Sequence, residues 1–304
     1  MHATSDDTPK PAPRRALRAA AWIAVVVVIA AVVALVVDDF AGSRAEHRLA
    51  QAVQASPGVE FEPDVLMSGF PFLPHRSSGE FDSILISAEG IPIEGCSGSY
   101  PCRSTVDARL QDARIGNTGA VGPETVLQAS SMRVETRIDS PTLGRLMNIV
   151  DLYINTPAPE DKAGGGGPGD GLLERTDGIM LSGTVPLPGS PATQNGYPPS
   201  AAAYTAPKVK VSVSARVFVV DGRVHVEATG FYDGPEEHYS ADVPAEFRSA
   251  VLKAFSAVLP RMQMAWGATA IQALSRGSDL VAVGETGPVA VRPIDYAKPL
   301  PGRP

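Results

Sequence analysis

Aromatic residues, cysteines and excess positive charge are all scarce in this chain. The scarcity of cysteine and that of positive charge each argue against a class of protein. Aromatic residues make up 6% of the 304 residues, and the two cysteines are too few for a disulfide-rich scaffold. The formal net charge of −7 argues against nucleic-acid binding, because that function needs a basic surface to neutralise phosphates. The hydrophobic content of 44% is nevertheless high enough for a packed core.

Motifs for metal binding, catalysis and nucleotide binding are also missing. The five histidines do not form H-E-x-x-H or another ligand spacing, and no G-x-S-x-G motif occurs. The glycines in "AGGGGPGDG", residues 163–171, lack the G-K-[ST] of a phosphate-binding loop. Asp233 and "EEH" at 236–238 can be read as an acid-base cluster, but the neighbouring Gly and Pro favour a solvated turn. We therefore predict no enzymatic activity, metal or cofactor.

A hydrophobic run at residues 19–37 dominates the N-terminal region. As a helix its nineteen residues span about 28 Å, close to the hydrocarbon thickness of a bilayer. Arginines precede the run and Asp38 and Asp39 follow it, so the positive-inside rule places the C-terminal part outside. We predict a cytoplasmic basic tail at 1–18 and a transmembrane signal anchor at 19–37 in the inner membrane. The alternatives are a signal peptide cleaved at "AGS", residues 41–43, and a buried soluble helix.

The two cysteines, Cys96 and Cys102, lie six residues apart in the turn-rich stretch "GCSGSYPC". Outside the membrane the compartment can be oxidising, and this spacing suits a small closed loop. We predict a structural disulfide, with two free thiols as the alternative.

Alternation of apolar and polar residues predicts antiparallel strands through most of the remaining chain. The clearest are at 81–88, 104–116, 125–139, 208–220 and 223–231, the last two joined by an Asp-Gly hairpin turn. Ser140 as N-cap and Pro141 at the first helical position predict a short helix, and apolar spacing predicts another over 244–259. A final hairpin is expected to turn at 275–279.

This mixture of hairpins and single helices predicts the α+β fold class. We expect one extracytoplasmic domain over residues 41–291, with flexible Gly/Pro/Ser-rich insertions at 156–171 and 188–207. Residues 292–304 are predicted to form a Pro-rich disordered tail.

The segment "MSGFPFLPHR", residues 67–76, carries two of the nine phenylalanines of the chain. Because proline lacks an N–H group and favours extended geometry before it, we predict an extended segment at a sheet edge or in a loop.

The elements Gly69–Leu73, "GFPFL", and Gly79-x-Phe81-Asp82 resemble the LmeA-like phospholipid-binding proteins of actinobacterial cell envelopes. The weaker similarity of the following strands extends the resemblance over most of residues 41–291. It implies a tubular lipid-binding-like fold, in which a curved antiparallel sheet wraps beside helices around an apolar interior that accepts acyl chains. It also implies binding of phosphoinositide-like phospholipids and a role in lipoglycan assembly.

Within this resemblance, the candidate lipid-binding residues belong to the same segment: Met67, Phe70, Phe72, Leu73, His75 and Arg76. Phe70 and Phe72 would line or gate a cavity or dip into the bilayer surface, and a head group would lie near His75 and Arg76. The alternatives are that the two phenylalanines are ordinary core residues and that the two polar residues belong to a solvated turn.

The leading hypothesis is a membrane-anchored extracytoplasmic protein that shields phospholipid acyl chains in an apolar cleft for envelope assembly. An accessory scaffold that stabilises a membrane glycosyltransferase without lipid cargo is the alternative, and an unrecognised hydrolase is the third.

Overall fold

A computed structural model describes residues 14–93, 96, 101–116, 121–156, 174–176, 178–190, 204–234 and 236–298. Most of the two predicted insertions, 156–171 and 188–207, lies outside the described residues, as do residues 1–13.

Four α-helices and fourteen strands make up the described chain. The helices are α1 Arg14–Gln54, α2 Phe72–Ser78, α3 Ser140–Met147 and α4 Ala245–Ala254. The strands of the first part are β1 Asp64–Ser68, β2 Glu80–Ile93, β3 Cys102–Ile115, β4 Leu127–Ala129, β5 Ser131–Asp139, β6 Val150–Asn155 and β7 Glu174–Arg175. Those of the second part are β8 Ile179–Pro186, β9 Lys208–Val220, β10 Arg223–Phe231, β11 Ala257–Val258, β12 Gln272–Arg276, β13 Asp279–Thr286 and β14 Val289–Val291.

The strands form two antiparallel sheets, which confirms the predicted α+β class. The larger sheet follows the order β1-β2-β3-β5-β13-β12-β7, with β4 pairing β3 and β14. The smaller follows the order β11-β10-β9-β8-β6. The sequence analysis expected one curved sheet, and the structure has two sheets. The physical reason is strand number, because twisted sheets of more than about ten strands usually split into two packed sheets.

Strand alternation sets which residues form the core. Along β5, Met132, Val134 and Ile138 are buried, while Arg133 and Glu135 between them are on the outer face. Leu274, Val281 and Val283 form a small separate cluster, and most other buried side chains of both sheets, of α3 and α4 and of the second part of α1 form one contiguous apolar core. Each large apolar side chain in it contributes about 1.5–3 kcal/mol by leaving water.

The predicted hairpins are confirmed. Asp221 and Gly222 both have positive φ, 51° and 72°, which the tight turn between β9 and β10 requires. The last hairpin turns between Arg276 and Asp279, in the predicted place. The Cys96–Cys102 disulfide is present.

Two predicted boundaries are wrong by a few residues. The N-cap of α3 is Asp139, which accepts a hydrogen bond from Thr142 N at 2.9 Å, whereas the predicted cap, Ser140, is the first helical residue. The Ser140 hydroxyl instead donates to the carbonyl of Ser278 at 2.9 Å. Helix α4 ends at Ala254, short of residue 259, because the following residues pair with β10 as β11.

The predicted disordered tail is wrong for residues 292–298, which pack onto the domain. A 3-10 turn at Pro293–Asp295 leads to Tyr296, whose side chain is fully buried. Its hydroxyl donates to the carbonyl oxygens of Val106 at 2.7 Å and Ile86 at 3.2 Å. Burial and, to a smaller extent, the charge of Asp107 raise the pKa of this phenol well above its usual value. The buried ring, together with hydrogen bonds such as that from Ala297 N to the Ser56 hydroxyl at 3.0 Å, anchors a segment whose composition predicts disorder.

Helix α1 is continuous across two surroundings. Its 41 residues extend about 60 Å. The apolar side chains of residues 21–37 are exposed, whereas Ala45, Leu49 and Val53 are buried in the core. The predicted helix at 19–37 is part of this longer one, which is long and apolar enough between Ala21 and Gln54 to cross a membrane.

Candidate functional site

The segment 67–76 is extended only at its beginning. Strand β1 ends at Ser68, and α2 begins at Phe72, so the prediction of an extended segment is wrong from Phe72 onward. Pro71 is the N-cap of α2, after a cis Phe70–Pro71 bond, and Pro74 is the third helical residue. The first N–H groups of a helix have no partner within it, so prolines in these positions remove no hydrogen bond.

Asp38 of α1 replaces the missing cap of α2. No side chain at the N-cap bonds to this helix. Instead, the buried Asp38 carboxylate accepts hydrogen bonds from Phe72 N at 2.7 Å and Leu73 N at 2.8 Å. Because Asp38 directly follows the apolar run that ends at Val37, the first turn of α2 lies at the depth where that run ends.

Phe72 is a core residue, as the simpler interpretation predicted. It is 6% exposed, and its ring centroid lies 5.8 Å from that of Phe81 on β2. Its ring also packs over Gly42 of α1, where an added Cβ would lie 3.5 Å from the Phe72 ring. Phe72 therefore joins α2 to both α1 and the larger sheet.

Phe70 and Leu73, in contrast, face outward at the same end of the domain. Phe70 is 75% exposed and Leu73 is 40% exposed. Phe40 of α1, which the sequence analysis did not select, is 57% exposed, with the Arg44 guanidinium 4.3 Å from its ring centroid. Phe40 lies two residues beyond Asp38, which corresponds to about 200° around the helix axis. The side chains of Phe40 and Asp38 therefore point to opposite sides of α1 at nearly the same height along it. We call Phe40, Phe70 and Leu73 the collar.

The remaining candidates support the backbone around the collar. Met67 is buried on β1, and its N–H donates to Glu46 of α1 at 2.9 Å. The His75 Nδ1–H donates to the Glu80 carbonyl at 2.9 Å, and the ring lies against Gly69. A Cβ on Gly69 would come within 2.9 Å of that ring, so this close approach needs glycine. Arg76 is half-buried and has an interaction partner.

Two cavities of the described domain lie on the outer face of the larger sheet. One, of about 370 Å³, lies near Phe61, Arg103 and Asp279, and the other, of about 580 Å³, lies between β2, β3 and β5. Neither is lined by Phe70 or Phe72, and charged side chains line much of both. They differ from the apolar cleft that the sequence analysis predicted beside the phenylalanines.

The acid-base candidate near residue 236 forms a polar turn. Glu236 accepts a hydrogen bond from the Tyr232 hydroxyl, and His238 packs edge-on to the Tyr232 ring at 5.4 Å. Burial is the largest cause, and the hydrogen bond and charge of Glu236 the next, of the rise in the pKa of Tyr232 to about 12. Among the described residues, no group of three or more His, Cys, Asp or Glu side chains is arranged to hold a metal ion.

Comparison with known proteins matches the chain to a family. The model of the family described as LmeA-like phospholipid-binding matches residues 36–285, well over half of the chain. The matched region begins just before Asp38 and includes α2 and the collar. No curated protein and no solved structure matches the chain.

Proposed function

Because the chain belongs to the LmeA-like phospholipid-binding family, we propose that it is a membrane-anchored protein that takes phospholipid at its membrane end and shields the acyl chains. The domain after α1 lies outside the cytoplasm, as the arginines before the apolar run and the aspartates after it favour. Burial of each methylene contributes about 0.8 kcal/mol, so the binding needs few polar contacts.

One observation carries this proposal: Asp38 fixes α2 to α1 directly after the apolar run. With residues 21–37 in the bilayer, Phe40, Phe70 and Leu73 lie at the interface, where aromatic and apolar side chains are stabilised. The domain is thereby held against the surface from which a phospholipid would leave.

An uncleaved anchor is part of the proposal. Signal-peptide cleavage at residues 41–43 would separate Asp38 from the α2 N–H groups that it binds and would cut α1 beside Phe72. A helix that continues from the apolar run into the core also leaves no extended segment for a peptidase to bind.

Lipid uptake in this proposal requires α2 to move. The interior beside Phe72 is filled by side chains, so an acyl chain enters by displacing the seven-residue α2 from the surface of α1 and β2. Phe72 and the two hydrogen bonds of Asp38 would hold the closed position, and the exposed Phe70 and Leu73 would contact the lipid first.

The finer parts of the function are also proposals. The resemblance favours phosphoinositide-like lipids and a role in envelope lipoglycan assembly. The alternative, a scaffold that stabilises a membrane glycosyltransferase, gains support from the polar cavities of the outer sheet face, which suit a protein contact better than an acyl chain.

The test is the lipid content of the full chain. We expect native mass spectrometry of the detergent-purified protein to show bound phospholipid. In Phe70→Asp with Leu73→Asp we expect loss of this lipid with an unchanged circular dichroism spectrum, because both side chains are exposed. The matched control is Phe61→Asp, whose side chain is 54% exposed away from the collar and which should keep its lipid.

Lipid-free protein that co-purifies with a membrane enzyme would instead support the scaffold. Equal lipid loss in the Phe61→Asp control would show that the collar has no special role.

A further inference from the structure

The outer face of the larger sheet carries a groove that the proposed function does not use. This cavity of about 580 Å³ has the size of a small-molecule site. Three arginines, Arg109, Arg133 and Arg137, line it together with two carboxylates, Asp107 and Glu135. A chain of net charge −7 therefore has a local excess of positive charge here.

Arg109 and Arg133 are directly opposite each other on β3 and β5. Like charges in this position destabilise a sheet. Arg133 is compensated, because it pairs with Glu135 at 3.0 Å and with Glu285 at 2.5 Å. Glu135 is shared further with Arg276, whose Nη1 lies 2.7 Å from it. No ion pair of the described chain includes Arg109, although Asp107 and Glu135 line the same groove.

Arg137 provides a second, independent observation. It lines both outer cavities, and its Nη2 lies 3.1 Å from Asp107. Its Nε is buried and has no hydrogen-bond partner among the described residues. Buried N–H groups are nearly always bonded in folded proteins, so an unpaired one marks a place where a bound acceptor would be stabilising.

An exposed apolar side chain lies beside the groove, in strand register with Arg109. Leu66 on β1 is 56% exposed and lies opposite Leu85 on β2, which in turn lies opposite Arg109. An exposed leucine therefore lies in register with a guanidinium that has no ion-pair partner in the described chain, which suits an anion that carries an organic substituent.

From these features we infer that the outer groove binds a phosphate or diphosphate ester, with Arg109 as the main contact and Arg137 as the second. Planar guanidinium groups bind phosphate oxygens with two parallel hydrogen bonds. Arg109 lies opposite Arg133, which is four residues before Arg137 on β5, so about 13 Å of strand separates the two contacts, a span that fits a diphosphate between long side chains. The inference is independent of acyl-chain binding at the collar, since the groove lies on the outer sheet face. The phosphate can belong to a soluble molecule or to a lipid head group.

The experiment uses the full chain in phosphatidylcholine nanodiscs, titrated with inorganic pyrophosphate by calorimetry. A second arm replaces the titration with nanodiscs that contain phosphatidic acid. We expect saturable binding in one or both arms, weakened about tenfold by Arg109→Gln. The control is Arg114→Gln on the same strand, an exposed arginine that pairs with Glu80 at 3.0 Å outside the groove, and it should bind as the natural chain does.

Stability gives a readout that a purely structural role would not produce. Removing one of two opposed charges should leave the melting temperature of Arg109→Gln unchanged or raised while binding falls. Binding of pyrophosphate identifies a soluble ligand, and binding of phosphatidic acid alone identifies a lipid source. No saturable binding in either arm, or equal loss in Arg114→Gln, would overturn the inference.

Discussion

The two parts of α1 differ in composition and in surroundings: residues 21–37 are all apolar, whereas residues 38–54 include charged and polar side chains. Between residues 21 and 37 the valines, isoleucines and leucine are about half exposed or more, whereas Leu49 and Val53 are fully buried in the domain core. No break separates the two parts. The difference shows that one helix can combine an apolar segment long enough to cross a membrane with a core element, with Asp38 at the junction. It also means that substitutions in each part should affect different properties.

The largest effect on folding is expected for Leu49→Ala. Removing this buried side chain should lower the free energy of unfolding by about 2–5 kcal/mol, because a cavity remains in the core. Leu35→Ala in the same helix is the matched control, since Leu35 is 52% exposed, and the unfolding of the domain should not change. Urea unfolding in detergent measures both. Similar losses in the two variants would mean that the parts of α1 are not distinct.

The complementary effect on membrane insertion is expected for Val28→Asp. A carboxylate near the middle of the apolar run costs about 3 kcal/mol of insertion free energy. We expect a larger soluble fraction after carbonate extraction of membranes, with the domain unfolding as before. Val53→Ala, in the buried part, should show the reverse: reduced domain stability and unchanged extraction.

An intermediate effect is expected at the junction. Asp38→Ala leaves Phe72 N and Leu73 N without their acceptor and should reduce stability by about 1–3 kcal/mol. Hydrogen exchange should rise mainly in α2. Asp39→Ala is the control, because Asp39 is exposed, and it should leave α2 protected. Unaltered exchange in Asp38→Ala would show that Phe72 alone holds the helix.

The smallest effect at neutral pH is expected for Tyr296→Phe, in the segment that packs against the buried part of α1. Loss of the hydroxyl bonds to Val106 and Ile86 should cost about 1 kcal/mol.

The pH dependence of this variant gives a sharper test. Burial holds the folded-state pKa of Tyr296 above 10.0, so its contribution to stability is complete below pH 10 and falls above it, where the unfolded state ionises and the folded state does not. The phenylalanine variant should lack this alkaline loss in urea titrations between pH 9 and about 11. Identical curves for both proteins would contradict the assignment.

Local patterns predicted much of this fold but not the pairing of distant residues. Alternation located the long strands, and the Asp-Gly turn located the hairpin of β9 and β10, because both signals act over a few residues. The helix at Phe72 was not predictable in this way, since its capping carboxylate belongs to a residue 34 positions earlier. Similarly, Phe70 and Phe72 are the same residue type on either side of Pro71, so the sequence does not distinguish them. Only the packing of Phe72 on Gly42 and Phe81 shows that Phe72 is a core residue and Phe70 a surface residue.

By itself the sequence determined an apolar N-terminal helix, an α+β domain with antiparallel strands, a disulfide and the family resemblance. These depend on hydrophobic period, turn residues and short motifs, which are local properties of the chain. Only the tertiary structure decided that α1 is continuous, that Asp38 caps α2, that Tyr296 anchors the C-terminal segment and that Arg109 opposes Arg133. Apart from the continuity of α1, each of these joins residues far apart in sequence, and such contacts form only where burial and strand register bring the two partners together.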